Sequence, residues 1–257
     1  MLQLQIKLTK DLDFEGFTFL EGFPGIGLVG AMSISYVIEK LGLENIGYLE
    51  SEEFPPLMSI HDGIPMHSIR IYASEKYKII TIFSEFSIPA STTYKITDVL
   101  IEFIKAKRIA KIISIAGIPV MKAEEEKESE SNIYVVSSRK EMTKNAEKIG
   151  MKSVQEGISS GINAVLMLKA IDEKIEDINI LVQINPAIIN PKYAENAIQG
   201  LNKLLSLDIN TDELEHEAKE VESRIKAIIK KSRDTHNQYK ASTGEKEAES
   251  PGNPMYV

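Results

Sequence analysis

Three glycines in the stretch EGFPGIGLVG, residues 21–30, have the spacing of a dinucleotide-binding turn. In the pattern G-x-G-x-x-G, Gly25, Gly27 and Gly30 would supply a tight turn, a close approach of the backbone to a pyrophosphate and close packing of the following helix. An acidic residue that binds the ribose is expected about 20 positions further on, and Glu50 meets this requirement. These residues suggest one function, an enzyme that binds a nucleotide or another phosphate-bearing ligand.

Other catalytic and metal-binding patterns are weaker. His61 and His67 occur in the sequence HDGIPMH without a third ligand signature, so we interpret them as ordinary strand residues rather than a metal pair. No G-x-x-x-x-G-K-[ST] motif is present and the chain has no cysteine. The acidic residues Glu50, Glu52 and Glu53 could bind a cation or orient a substrate, but no partner base is indicated. We therefore expect no metal site.

Composition narrows the classes of partner. The chain has 257 residues, of which 43% are hydrophobic and 26% are charged, and its formal net charge is -8. A negative protein offers no overall basic field to attract a phosphate backbone. No apolar run approaches the roughly 18 residues of a membrane span. We expect a cytoplasmic protein without nucleic-acid or membrane partners.

Strands and helices alternate along residues 1–209, which we predict to form one α/β core domain. The strand IGYLES follows the first helix, and Asp62-Gly63 marks a hairpin that makes part of the sheet antiparallel. The pattern therefore predicts a central mixed sheet flanked by helices. The predicted helices lie at residues 28–42, after a cap at Ser91, at 139–149, at 161–173 and after Asn190-Pro191.

Residues 210–240 have the pattern of a C-terminal amphipathic helix. Asn210 is placed to cap its first turn, and Glu213 is placed to reach back and complete a capping box. Its apolar seam packs either on its own domain or on another subunit, and in the second case it forms an oligomer interface. The seam consists of Leu214, Ala218, Val221, Ile225 and Ile228.

Four stretches, FPGIGLVG, EEFPPLMSIHDGIP, IISIAGIPV and GISSGINAVLM, together resemble the proteasome-assembly-chaperone family, in particular its archaeal homologues. The resemblance extends over residues 15–205. It implies a single α/β domain with a nucleoside-phosphorylase-like sheet, a homo-oligomer such as a tetramer, and a binding protein without catalysis or cofactor. Under this interpretation the glycine turn is structural, and the spacing of Glu50 from the turn is a coincidence. The nucleotide-binding enzyme stays open as the alternative.

Residues 241–257 have the composition of a disordered tail, and this tail ends in a hydrophobic residue, a tyrosine and any residue. The ending Met255, Tyr256 and Val257 resembles the motif by which proteasome activators and some assembly chaperones bind pockets between α subunits of the core particle. Tyr256 combines a large apolar face with a hydroxyl, Met255 adapts to an irregular pocket, and a carboxylate on Val257 would pair with a lysine. The resemblance implies ATP-independent binding to the α ring, by an assembly chaperone or a regulator.

Overall fold

The computed structural model describes residues 4–10, 12–119, 133–186 and 188–214, and in these ranges nine strands form one mixed sheet. Two further strands form a separate hairpin. The strands are β1 (Gln5–Leu8), β2 (Thr18–Glu21), β3 (Glu44–Glu50), β4 (Met58–His61), β5 (Ile64–His67), β6 (Ile69–Ser74), β7 (Ile79–Ser84), β8 (Lys111–Pro119), β9 (Ile133–Ser137), β10 (Lys152–Ser153) and β11 (Glu176–Ile184).

The large sheet has the strand order β1-β3-β6-β7-β2-β8-β11-β9-β10. Its four central strands, β7, β2, β8 and β11, run parallel to one another, and antiparallel pairs continue the sheet on both sides. Parallel strands that are covered on both faces are expected to be apolar throughout, and the six residues of β7 are all buried. The predicted mixed sheet is confirmed.

Helices cover both faces of the sheet. Because side chains alternate along a strand, Leu20 and Ile113 pack with α1 and α5, whereas Phe19 and Ile112 on the same strands pack with α2 and α4. The result is a three-layer α/β/α arrangement with one apolar core on each side of the sheet. The helices are α1 (Val29–Leu41), α2 (Thr93–Ala106), α3 (Lys140–Lys148), α4 (Ile162–Asp172) and α5 (Pro191–Leu205).

The helix boundaries agree with the sequence prediction at most ends. The side chain of Asn190 caps α5 by accepting a hydrogen bond from the backbone N–H of Lys192 at 2.9 Å. The predicted cap at Ser91 is wrong, because Ser91 lies inside a 3-10 turn that precedes α2 and no side chain caps this helix. That turn is closed by the backbone N–H of Thr92, which donates to the carbonyl of Pro89. The likeness to nucleoside phosphorylases stays a prediction.

The hairpin signal at Asp62-Gly63 is also confirmed, but the hairpin does not join the large sheet. Asp62 and Gly63 both have positive φ, 51° and 78°, as a tight two-residue hairpin turn requires. In the part of the chain that the structure describes, β4 and β5 pair only with each other. The antiparallel part of the large sheet is formed instead by β6, which follows the hairpin and lies between β3 and β7.

Candidate functional site

The glycine turn is packed against the ends of two parallel strands. After β2 the chain passes through a 3-10 turn, Ile26–Leu28, into α1. Gly27 has a φ of 67°, and a Cβ there would lie 2.6 Å from the Cδ1 atom of Ile184. A Cβ on Gly30 would lie 2.5 Å from the carbonyl oxygen of Ile115. The glycines therefore allow the backbone of α1 to contact β8, and Ile184 fills the space beside Gly27.

Glu50 lies far from this turn. It ends β3, which is separated from β2 by β6 and β7, so that about 14 Å of sheet lies between them. Lys7 and Gln5 on β1 bind its carboxylate at 2.5 and 3.0 Å, and the hydrogen bond from Lys7 is the main cause that holds the pKa of Glu50 below its usual range. A dinucleotide site needs its acidic residue on the strand beside the first. The predicted ribose-binding alternative for Glu50 is wrong, because α1 leads to a distant strand.

A row of buried polar side chains crosses the face of the sheet that α2 and α4 cover. Glu21 on β2 lies opposite Ser114 on β8, and Ser114 lies opposite Asn179 on β11. Asp177, two residues before Asn179, faces the same side. Oε1 of Glu21 accepts a hydrogen bond from the backbone N–H of Phe23 at 2.8 Å. Among the described residues, neither Oε2 of Glu21 nor either carboxylate oxygen of Asp177 has a hydrogen-bond partner.

The environment of these two carboxyl groups favours their neutral forms. Burial raises the pKa of Glu21 to about 7. Burial also raises the pKa of Asp177 well above its usual range, and the charge of Glu21 raises it further. Carboxyl pairs of this kind can act as acid and base in enzymes, but both side chains here have no exposed surface. Because α2 and α4 cover both groups, a substrate cannot reach them. We therefore interpret the pair as groups whose ionisation affects the stability of the fold.

A second buried charge cluster lies beneath the β4–β5 hairpin and is centred on Glu85. Its carboxylate binds the guanidinium of Arg70 and Nε2 of His61, the latter at 2.6 Å. Arg70 also donates to the hydroxyl of Tyr72 at 2.7 Å and to the carbonyl of His67 at 3.0 Å. Burial raises the pKa of Glu85, but the charge of Arg70 and the other polar contacts of the cluster together outweigh burial and hold this pKa below its usual range. The cluster ties the inner side of the hairpin to the sheet.

The two histidines of the hairpin have separate environments. His61 ends β4 and contacts Glu85, whereas the ring of His67 stacks on Tyr48 with 3.6 Å between centroids and 5° between planes. Their interpretation as strand residues is confirmed. Within residues 4–10, 12–119, 133–186 and 188–214, no group of three or more His, Cys, Asp or Glu side chains is arranged to hold a metal ion.

The predicted oligomer seam begins at a residue that is buried in its own chain. Leu214 is 3% exposed and packs in the core that contains α1 and α5. The hydroxyl of Tyr36 donates to the carbonyl of Asn210 at 2.8 Å. Glu213 does not reach back to complete a capping box, because Lys40 binds its carboxylate at 2.6 Å. The remaining interface residues Val221, Ile225 and Ile228, and the docking residues Met255, Tyr256 and Val257, lie outside the described residues.

Comparison with known proteins identifies the family. A model of the PAC2 family matches residues 19–229, which include most of β2, the strands that follow it and the five helices of the described ranges. The chain therefore belongs to the PAC2 family. The protein MJ0106 of Methanocaldococcus jannaschii is 25% identical over 217 residues, which cover 84% of this chain and 87% of that protein. No helix in the described part of the chain is long and apolar enough to cross a membrane.

Two solved structures share the fold. Pyrococcus furiosus PbaA, described as an archaeal homolog of proteasome-assembly chaperone, has a TM-score of 0.79 and 24% identity and covers 93% of this chain and 99% of its own. Pyrococcus furiosus PbaB, described as an archaeal proteasome activator, has a TM-score of 0.73 and 18% identity and covers 89% of this chain and 99% of its own. The resemblance to archaeal proteasome-assembly-chaperone homologues, and the single α/β domain that it implied, are confirmed.

Sequence reasoning missed both buried charge clusters, although each leaves a signal. Glu21 ends the buried strand TFLE, Glu85 follows the buried strand IITIFS, and Asp177 interrupts the buried strand EDINILVQI. An acidic residue in or beside a buried strand requires either a cation or a proton. The sequence does not show whether such a residue is paired with a cation or protonated. Arg70, for example, comes within reach of Glu85 only because β6 pairs with β7.

Proposed function

We propose that this protein is an ATP-independent assembly chaperone or regulator of the proteasome, which binds the α ring of the core particle through Met255, Tyr256 and Val257. The observation that carries the proposal is membership of the PAC2 family, together with the fold shared with a protein described as a proteasome-assembly-chaperone homolog and another described as a proteasome activator. We propose that it acts in the cytoplasm by binding, without turnover of a substrate. The sequence contains no P-loop motif for the use of ATP.

The chemistry of the last three residues suits an anchor in a shallow pocket. A tyrosine buries a large apolar ring while its hydroxyl finds a hydrogen-bond partner, and methionine adapts its shape to irregular apolar surfaces. The 17 residues from 241 to 257 could span up to about 56 Å when fully extended. An anchor on such a segment reaches a pocket well away from the folded domain.

Self-association would strengthen a weak anchor, and we propose that the protein is a homo-oligomer. Leu214 packs in its own core, so the proposed interface is formed by later residues of the seam, Val221 and Ile225. Burial of each against another subunit would contribute about 1.5 to 3 kcal/mol. Several tails on one oligomer would bind several pockets, which raises the apparent affinity about a hundredfold or more. Light scattering should show that the double change Val221→Glu and Ile225→Glu reduces the oligomer size. A monomeric unaltered protein would contradict this proposal.

Surface plasmon resonance against the immobilised core particle of the same organism tests the docking motif. We expect the full chain to bind without ATP, and we expect both a chain lacking residues 255–257 and the variant Tyr256→Ala to lose about tenfold or more in affinity. Tyr239→Ala is the matched control, because it removes a nearby tyrosine outside the motif. Equal affinity for all variants would exclude the tail from the mechanism. Absence of binding by every variant would exclude the proteasome as the partner.

A further inference from the structure

We infer that the outer face of the β4–β5 hairpin is a second docking surface, for a protein partner whose apolar patch is bordered by lysine or arginine. Ile64 is 62% exposed at the turn, but it pairs with His61 and so lies on the other face. On the outer face two large apolar side chains are strongly exposed, Met58 at 61% and Ile60 at 62%. Pro65, opposite Ile60, is exposed beside them. Apolar side chains grouped on one exposed face mark an interaction surface more strongly than single exposed residues do.

Strand β4 of the hairpin has the reverse of the usual polarity. A sheet covered on one side normally turns its apolar residues inward and its polar residues to solvent. Here Ser59 and His61 face inward, where Ser59 donates to the hydroxyl of Ser68 at 3.2 Å and His61 binds Glu85 at 2.6 Å. The apolar residues of β4 therefore face solvent. Polar contacts fix the hairpin in place while its apolar face stays available.

The isolation of the hairpin supports the same inference. A two-stranded hairpin is at best marginally stable alone in water, and in the described ranges β4 and β5 pair with no other strand. The contacts of Glu85 with His61 and Arg70 hold it instead. A buried charge cluster that presents a small apolar hairpin to solvent is costly to form, and a binding role accounts for this arrangement.

Charge selects the kind of partner. Residues 50–67 contain four acidic residues and no lysine or arginine. Lys7 binds Glu50 and Lys95 binds Glu53, whereas Glu52 and Asp62 are exposed and have no ion-pair partner among the described residues. A basic border on the partner would complement these charges and increase the rate of association. A second copy of this chain would place like charges against one another, so the charges favour a different protein.

This inference rests on the proposed function, which supplies the proteasome core particle as the partner to be tested. A stable protein interface buries about 800 Å² on each partner, more than one four-residue-a-strand hairpin can provide. The hairpin is therefore expected to act together with the tail. Two linked contacts bind more tightly than either does alone, so loss of the hairpin contact should weaken binding without abolishing it.

The test compares two double variants in binding to the immobilised core particle. Met58→Ser with Ile60→Ser removes the large apolar side chains of the outer face, and Leu168→Ser with Ile171→Ser is the matched control on α4, where the side chains are 62% and 47% exposed. We expect the hairpin variant to lose about tenfold in affinity and the control to change less than about twofold. All four replaced side chains are exposed, and unchanged circular dichroism will verify that both variants fold.

A charge variant tests the selectivity of the surface independently. Glu52→Gln with Asp62→Asn neutralises both acidic groups, and asparagine tolerates the positive φ of residue 62. We expect a severalfold slower association with the core particle at low ionic strength and no difference from the unaltered protein at high ionic strength. An association rate equal to that of the unaltered protein at low ionic strength would contradict the proposed basic border.

The outcomes separate the two proposals. If the unaltered protein does not bind the core particle, the proposed function fails and the hairpin inference fails with it. If it binds and the Met58, Ile60 variant binds equally well, only the hairpin inference is overturned. A hairpin variant with unchanged affinity but a smaller oligomer by light scattering would show that a second copy occupies the surface, which also overturns the inference.

Discussion

Replacement of Glu21 by glutamine should raise the free energy of unfolding at neutral and alkaline pH. Glu21 is fully buried, its Oε1 accepts a hydrogen bond from the backbone N–H of Phe23, and its Oε2 has no partner among the described residues. Glutamine has nearly the same shape, keeps one carbonyl acceptor and carries no charge. The substitution therefore removes the free-energy cost of burying a carboxylate while it preserves the packing.

The magnitude follows from the pKa of Glu21, which folding raises from 4.5 to about 7. A carboxyl whose pKa is raised in the native state contributes its full stability below about pH 4.5, and that stability is lost as the pH rises through about 7. At about 1.36 kcal/mol per pKa unit, a shift of about 2.5 units corresponds to about 3 kcal/mol. Asp177 titrates in the same direction, so neutralising Glu21 should also lower the pKa of Asp177 toward its usual range.

Urea unfolding of both proteins between about pH 4 and pH 8.5 measures this effect. The stability difference between Glu21→Gln and the unaltered protein should be near zero at about pH 4 and should reach about 3 kcal/mol in favour of the variant above about pH 7.5. Glu44→Gln is the control, because Lys10 binds this exposed carboxylate and holds its pKa below the usual range. That control should change the free energy of unfolding little across this pH range, because solvent screens an exposed ion pair. A difference for Glu21→Gln that is independent of pH, or a loss of stability at about pH 8, would refute the reasoning.

Four further substitutions test the packing described above. Gly30→Ala should lower the unfolding temperature markedly, because the added Cβ would meet backbone atoms. Gly25→Ala should change it little, because a Cβ has space at that position. Equal effects of the two substitutions in calorimetry would contradict this account of the turn. Arg70→Met should destabilise the fold by about 3 to 5 kcal/mol in urea unfolding, since it leaves Glu85 buried without its cation. Leu214→Ala should cost about 2 to 5 kcal/mol because Leu214 packs in its own core, and a cost below about 1 kcal/mol would place it outside that core.

The sequence predicts the elements of this fold well and their arrangement less well. Gly42, with a φ of 60°, ends α1 where the sequence predicts, because a left-handed residue is a local requirement. The position of β3 is not local. In the sheet, β3 is separated from β2 by β6 and β7, which come later in the chain. The sequence from β2 through α1 to β3 would look the same if β3 lay directly beside β2. The position of β3 in the sheet is therefore the feature that distinguishes this glycine turn from a dinucleotide site.

The candidate functional residues also differ in whether sequence alone can identify them. The ending Met255, Tyr256 and Val257 can be proposed from sequence because three consecutive residues carry the whole motif, and it stays a prediction. The exposed apolar face of the hairpin could not be proposed, because alternation in LMSIHDGIPMH does not show which side faces the sheet. Its orientation depends on contacts outside the hairpin, such as that of His61 with Glu85, 24 residues further along the chain.

Sedimentation velocity of the purified full chain mixed with the purified proteasome core particle, without nucleotide, tests the central claim most directly. The proposed function is binding at the proteasome, and this measurement detects binding without assuming which surface is responsible. We predict that the protein sediments with the core particle in a saturable ratio, and that Tyr256→Ala reduces the fraction that does so. Separate sedimentation of the two components at concentrations of about 10 μM, where even a weak specific complex of micromolar Kd would form, would contradict the account.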